Sequence, residues 1–108
     1  MIGRLMTMTA HPGRGGELAA VLLRVAETLH GFPGCEIYLI SQDAADPDTV
    51  HVTEVWRDEA SAQAALAAPP HADGPNPADV LALLSSSPHR TDLTVLGGVG
   101  LPTVGGQP

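Results

Sequence analysis

A chain of 108 residues has room for one domain, and its 44% hydrophobic content is that of a globular protein, not a disordered one. The formal net charge is −7, and the five basic residues (Arg4, Arg14, Arg24, Arg57, Arg90) are scattered, which excludes a basic patch for phosphates or anionic lipid. One cysteine, Cys35, excludes an internal disulfide and a thiolate metal cluster, and no run nears the roughly 20 apolar residues of a membrane span. No nucleic-acid or membrane partner is expected, and no signal peptide is apparent, so a soluble cytoplasmic protein is the default. Alanine, glycine and proline, with arginine in place of lysine, suggest a GC-rich bacterial origin.

Ile2 to Thr9 reads as strand 1, ended by the turn His11-Pro12-Gly13. From Arg14 the period changes: Leu18, Leu22, Val25, Ala26 and Leu29 share one helical stripe, and Gly31 stops the helix. Cys35 to Gln42 alternates as strand 2. The acidic turn Asp43 to Asp48 joins it to strand 3, Thr49 to Arg57, as a hairpin. Asp58 is a good N-cap for a second helix through about Ala68, where Pro69-Pro70 break it. His71 to Pro75 is loop. Asn76 caps a short third helix with Pro77 at its first position, and Ser85-Ser86-Ser87-Pro88 ends it. Thr91 to Leu96 is strand 4. Residues 1–98 form the domain and 99–108 a loose C-terminal tail.

The fold class is therefore α+β, a ferredoxin-like β-α-β-β-α-β sandwich with an antiparallel sheet. In strand 3, Val50, Val52, Glu54 and Trp56 point to one face, and His51, Thr53 and Val55 to the other. Both faces carry apolar groups, yet the helices cover only one. A second copy of the chain is the cheapest cover for the other, so a homodimer is expected.

Trp56 is either a flat wall for an aromatic ligand or the largest core side chain of a protein with few aromatics. Glu54, between Val52 and Trp56, is either a general base or one half of an ion pair, with Arg4 on strand 1 as the partner. Tyr38, mid-strand in the hairpin, is placed to share the face of Trp56 and donate to a bound oxygen, or merely to pack. Cys35 reads as a small buried hydrophobe. His11, His30 and His89 fall at turns or element ends. No two histidines have zinc-ligand spacing, and no metal motif is present.

Several segments recur in one spacing: Pro12-Gly13 before an amphipathic helix, Phe32-Pro33-Gly34-Cys35, Asp46-Pro47-Asp48-Thr49, Glu54-Val55-Trp56-Arg57-Asp58-Glu59-Ala60, and Pro70-His71. Together they resemble the antibiotic biosynthesis monooxygenase (ABM) superfamily, across roughly residues 2 to 97. That resemblance implies a dimeric α+β barrel with one cavity per subunit. It also implies oxidation of quinols or polycyclic anthrones by O2 with neither metal nor flavin, so no cofactor is expected. His71, matching the Pro-His after helix 2, becomes a second candidate base beside Glu54, because imidazole takes protons near neutrality. Trp56, Tyr38 and Arg4 are the candidate substrate-binding residues.

The departures from the family pattern are specific. Ile2 to Thr9 lacks the strand-1 asparagine of the haem-degrading branch, and Val52 stands near the strand-3 asparagine of the polyketide branch. Ala65 occupies the helix-2 position where other members carry tryptophan or histidine. Haem degradation is therefore not expected. The leading expectation is a cofactor-independent monooxygenase acting on a small quinol-like or polycyclic aromatic. The alternatives are an isomerase using Glu54 or His71, and a dimeric small-ligand-binding protein without chemistry.

Overall fold

The computed structural model describes residues 1–68 and 75–101. Along them run β1 (Ile2–Thr9), α1 (Gly15–Thr28), β2 (Cys35–Gln42), β3 (Thr49–Trp56), α2 (Glu59–Ala67), α3 (Pro77–Leu83) and β4 (His89–Thr94). The four strands form one antiparallel sheet in the order β2-β3-β1-β4. This is the ferredoxin-like arrangement expected from the element order. Strand β4 begins and ends two residues earlier than its apolar pattern suggests, because His89 and Arg90 pair with Thr7 and Met6 of β1. Pairing with β1, not side-chain polarity, defines this strand.

One face of the sheet is covered by helices. Leu18 and Leu22 of α1 are almost wholly buried, and they pack with Met8, Val50, Val52, Leu83 and Leu84 as the core. Burying such side chains stabilises by about 1.5–3 kcal/mol each, which makes this cluster the main anchor of α1 and α3. The connection before α1 is held by Asp48, whose carboxylate accepts from the backbone N–H groups of Gly13 and Gly15. A side chain at position 15 would run into the backbone of Pro47 and Asp48, so only glycine fits there.

Both expected N-caps are present. Asp58 accepts from the Ser61 N–H at 2.8 Å, and Asn76 forms a capping box with Asp79. Among the described residues, no helix lies on the other sheet face. Leu5, Leu39 and Leu93 lie there 41%, 54% and 40% exposed. Among the described residues, no helix is long and apolar enough to cross a membrane.

Candidate functional site

Strand register places the site. On the helix-covered face, Tyr38, Glu54, Arg4 and Asp92 form one row across all four strands. The next row on the same face contains Ile40, Val52, Met6 and Arg90. Between this end of the sheet and the helices lies a cavity of about 280 Å³. Its floor is Arg4, Met6, Tyr38, Glu54, Trp56 and Arg90. Its roof is Val25 and Thr28 from α1 and the C-cap Leu29, with Ala62, Ala65 and Leu66 from α2.

The cavity has a compositional cause. At the opposite end of the sheet, leucines from α1 and around the end of α3 fill the space above the valines of β3. Here α2 offers mostly alanine, and alanine cannot reach the floor. The long stripe of α1 is thus divided: Leu18 and Leu22 build the core, whereas Val25 and Leu29 line the void.

Trp56 is only 2% exposed and meets Phe32 edge to face, with ring centroids 6.2 Å apart. Its indole Nε1–H donates to Glu54 Oε1 at 2.9 Å. This bond corrects the expectation that Glu54 pairs with Arg4. Among the described residues no ion pair joins them, although they are direct cross-strand partners. Arg4 instead reaches the largely exposed Glu59, with Nη2 3.4 Å from Oε1. A guanidinium has five N–H donors, so this one long contact among the described residues leaves a 6%-exposed cation with capacity to spare at the cavity floor.

Burial raises the pKa of the Tyr38 phenol well above its usual value, and the Glu54 and Cys35 charges add to the shift. Tyr38 therefore stays protonated, with its hydroxyl hydrogen available to a ligand. Cys35 is half-buried; burial pushes its thiol up, with Glu54 and Glu36 adding, so a reactive thiolate is disfavoured. Arg90, which the sequence reading did not single out, lines the cavity and binds Asp92 Oδ1 through Nε at 2.7 Å. That hydrogen bond raises the pKa of the guanidinium, which remains cationic.

Structure thus brings together Glu54, Trp56, Tyr38 and Arg4 at one cavity, and Ala65 faces it. His71 lies outside the described residues. The roof residues Val25, Thr28, Leu29, Ala62 and Leu66 were also missed as site residues. For Val25 and Leu29 the signal was the helical stripe itself, which does not distinguish core from cavity wall. On the uncovered face a separate polar group lies around His51. Its Nε2 is 3.0 Å from Asp43 Oδ2, and its Nδ1 is 3.2 Å from Thr7 Oγ1. Among the described residues, no group of three or more His, Cys, Asp or Glu side chains is placed to hold a metal ion.

The sequence profile of the family "Antibiotic biosynthesis monooxygenase" matches residues 1–74. A protein of Chloroflexus aurantiacus, itself provisionally described as an antibiotic biosynthesis monooxygenase, is 32% identical. It superposes with a TM-score of 0.69, covering 91% of this chain and 97% of that one. A variant of SnoaB, a cofactor-independent oxygenase from Streptomyces nogalater, has 22% identity and a TM-score of 0.72, covering 91% of this chain and 95% of its own. A Deinococcus radiodurans protein, also provisionally described as an antibiotic biosynthesis monooxygenase, has 20% identity and a TM-score of 0.71, covering 95% and 100%. No curated protein sequence matches the chain.

Proposed function

Because this chain belongs to the antibiotic biosynthesis monooxygenase family, we propose that it oxygenates a small quinol-like aromatic with O2, without metal or flavin, as a homodimer. The observation that carries the reading is one row of side chains at an apolar cavity. A protonated phenol (Tyr38), a carboxylate (Glu54) and a buried guanidinium (Arg4) lie side by side under the wall of Trp56. The likeness to SnoaB supports the fold side of the argument, and the cofactor-independent chemistry named for that protein suits such a site.

In this reading the ring lies against Trp56. A quinol hydroxyl accepts from Tyr38 and gives its proton to Glu54 or to His71. Glu54 Oε1 is already engaged by the indole, so Oε2 is the oxygen assigned to the substrate. Arg4 stabilises the quinolate as charge develops, a fixed and buried cation at the cavity floor. The ring carbon of the anion then bonds to O2. Loss of water from the peroxide leaves a hydroxyquinone: one oxygen atom enters the ring and the other leaves as water. The four electrons that reduce O2 come from the substrate itself, so quinol and O2 balance hydroxyquinone and water.

The test is oxygen uptake with naphthoquinol after chelation and dialysis. One O2 consumed per hydroxyquinone formed, with ¹⁸O from labelled O2 in the product, supports the reading. Turnover that needs restored iron or zinc, or no uptake above the uncatalysed rate, overturns it. Ala65 favours a second reading, a ligand-binding protein without turnover, because α2 offers the cavity no side-chain base among the described residues. Tight binding of naphthoquinol without oxygen uptake would select it.

A further inference from the structure

The walls of the cavity differ in how firmly they are fixed. Trp56 is held between Phe32 and Glu54, and Tyr38 sits within the sheet opposite Glu54, so the floor has no room to retreat. On the roof, Val25 belongs to α1 and Leu29 is its C-cap, and Leu18 and Leu22 anchor that helix in the core. Helix α2 is the remaining wall. Its Ala62 borders the cavity too, but from the deeply buried side, at 1% exposed. Ala65 lies one turn further on the same helical face, borders the cavity and is only half-buried. Leu66 beside it is 72% exposed and marks the mouth. At position 65, therefore, added side-chain volume goes into the cavity near its mouth.

Size supplies the second half of the argument. A dry apolar cavity of about 150 Å³ houses one benzene ring. A void of about 280 Å³, open at the Leu66 mouth, therefore encloses two fused rings and leaves a third at the mouth. It also lies at the lower edge of the roughly 300–1,000 Å³ usual for drug-sized ligands. We propose that Ala65 sets the ring limit of this cavity, favouring one- and two-ring hydroxyarenes over three-ring anthrones. The inference rests on the reading of the cavity as an aromatic-ligand site and deepens it. Tyr38 and Glu54 supply a donor and an acceptor for one hydroxyl, while the alanine opposite decides how much ring follows it.

Trp56 is the only tryptophan in the chain, so its fluorescence reports occupancy of the cavity directly. Hydroquinone, naphthoquinol and dihydroxyanthrone would be titrated anaerobically into wild type, Ala65→Phe, Ala65→Met and the solvent-side control Ala64→Phe. Circular dichroism melts would identify any variant that fails to fold, and Ala65→Met is the milder substitution should phenylalanine be too large. Wild type and Ala64→Phe should bind the three-ring probe at least tenfold more weakly than naphthoquinol, about 1.4 kcal/mol. Ala65→Phe or Ala65→Met should lose at least tenfold in naphthoquinol affinity while hydroquinone changes little. Equal wild-type affinity for two and three rings overturns the ring limit. Unchanged naphthoquinol affinity in folded Ala65 variants overturns the role of this residue. If no probe binds wild type, the aromatic-ligand reading falls, and this inference with it.

Discussion

At the scale of single residues, the decisive contact is the Trp56–Glu54 hydrogen bond, which ties the candidate wall to the candidate base. Glu54→Gln keeps an oxygen able to accept the indole N–H and removes the charge. If Glu54 takes the substrate proton, turnover should fall by about 10²–10⁴-fold with the melting temperature nearly unchanged. His71→Ala tests the other base in the same assay, and full turnover in both variants would end the assignment. Trp56→Ala should weaken aromatic binding and cost about 3–5 kcal/mol of stability, so melts must accompany it. Tyr38 adds a pH dependence. Its folded pKa is raised, so above the ordinary phenol value near 10 the unfolded chain releases a proton that the folded chain keeps. Stability should therefore fall as pH rises beyond about 10, and Tyr38→Phe should flatten that part of the curve. That these groups share a face was legible from the two-residue period of strands. That Glu54 bonds Trp56 while Arg4 turns to Glu59 was not, because register brings Cα atoms together and leaves the choice among nearby partners to side-chain reach.

At the scale of elements, the boundaries that were legible are those with a chemical stop signal. Asp58 and Asn76 cap α2 and α3 as their carboxylate and amide oxygens predict, and Gly31, at φ +74°, lies just past the end of α1. Strand β4 has no such signal and was placed two residues late. The division of the α1 stripe between core and cavity was also hidden, since it depends on α2, whose small side chains leave the space open. Two substitutions test what positions α2. Asp58→Ala removes the cap and should cost about 1 kcal/mol, read as a lower denaturation midpoint. Gly34→Ala should cost more. Gly34 has φ +83°, and an added Cβ would overlap the Ser61 side chain on the buried side of α2. A folded Gly34→Ala protein should therefore show α2 displaced and weaker aromatic binding, whereas unchanged stability and binding would show that this contact does not set the helix.

At the scale of the whole molecule, helices close one face of the sheet, and the described residues leave the other open. On the open face Leu39, Thr53, Leu5 and Thr91 form a row, followed by Ile37, Val55, Gly3 and Leu93. Toward the other end the row is polar: Ser41, His51, Thr7 and His89, with Asp43 held against His51. Isolated exposed leucines are ordinary on protein surfaces, but three on adjoining rows of one open sheet, beside Val55 and Ile37, make a contiguous apolar patch. The proposed homodimer covers this patch with the same patch of a second copy, an arrangement that a two-fold axis allows. A stable interface of this kind should bury more than about 1,000 Å². Light scattering at micromolar concentration should give twice the chain mass. Leu5→Asp places a carboxylate at the middle of the patch while leaving the helix-covered face untouched, since position 5 points away from the cavity. The variant should be a folded monomer, because a charge left in a dry interface disfavours association far more than it disfavours the solvated monomer. Arg4 and Met6, its neighbours in β1, keep their places at the cavity floor, so naphthoquinol binding should persist if the cavity is complete within one subunit. Loss of binding together with the dimer would show that the second copy supports the site. A wild-type chain that is monomeric at native circular dichroism would remove the dimer from the proposal and leave the open face to another partner.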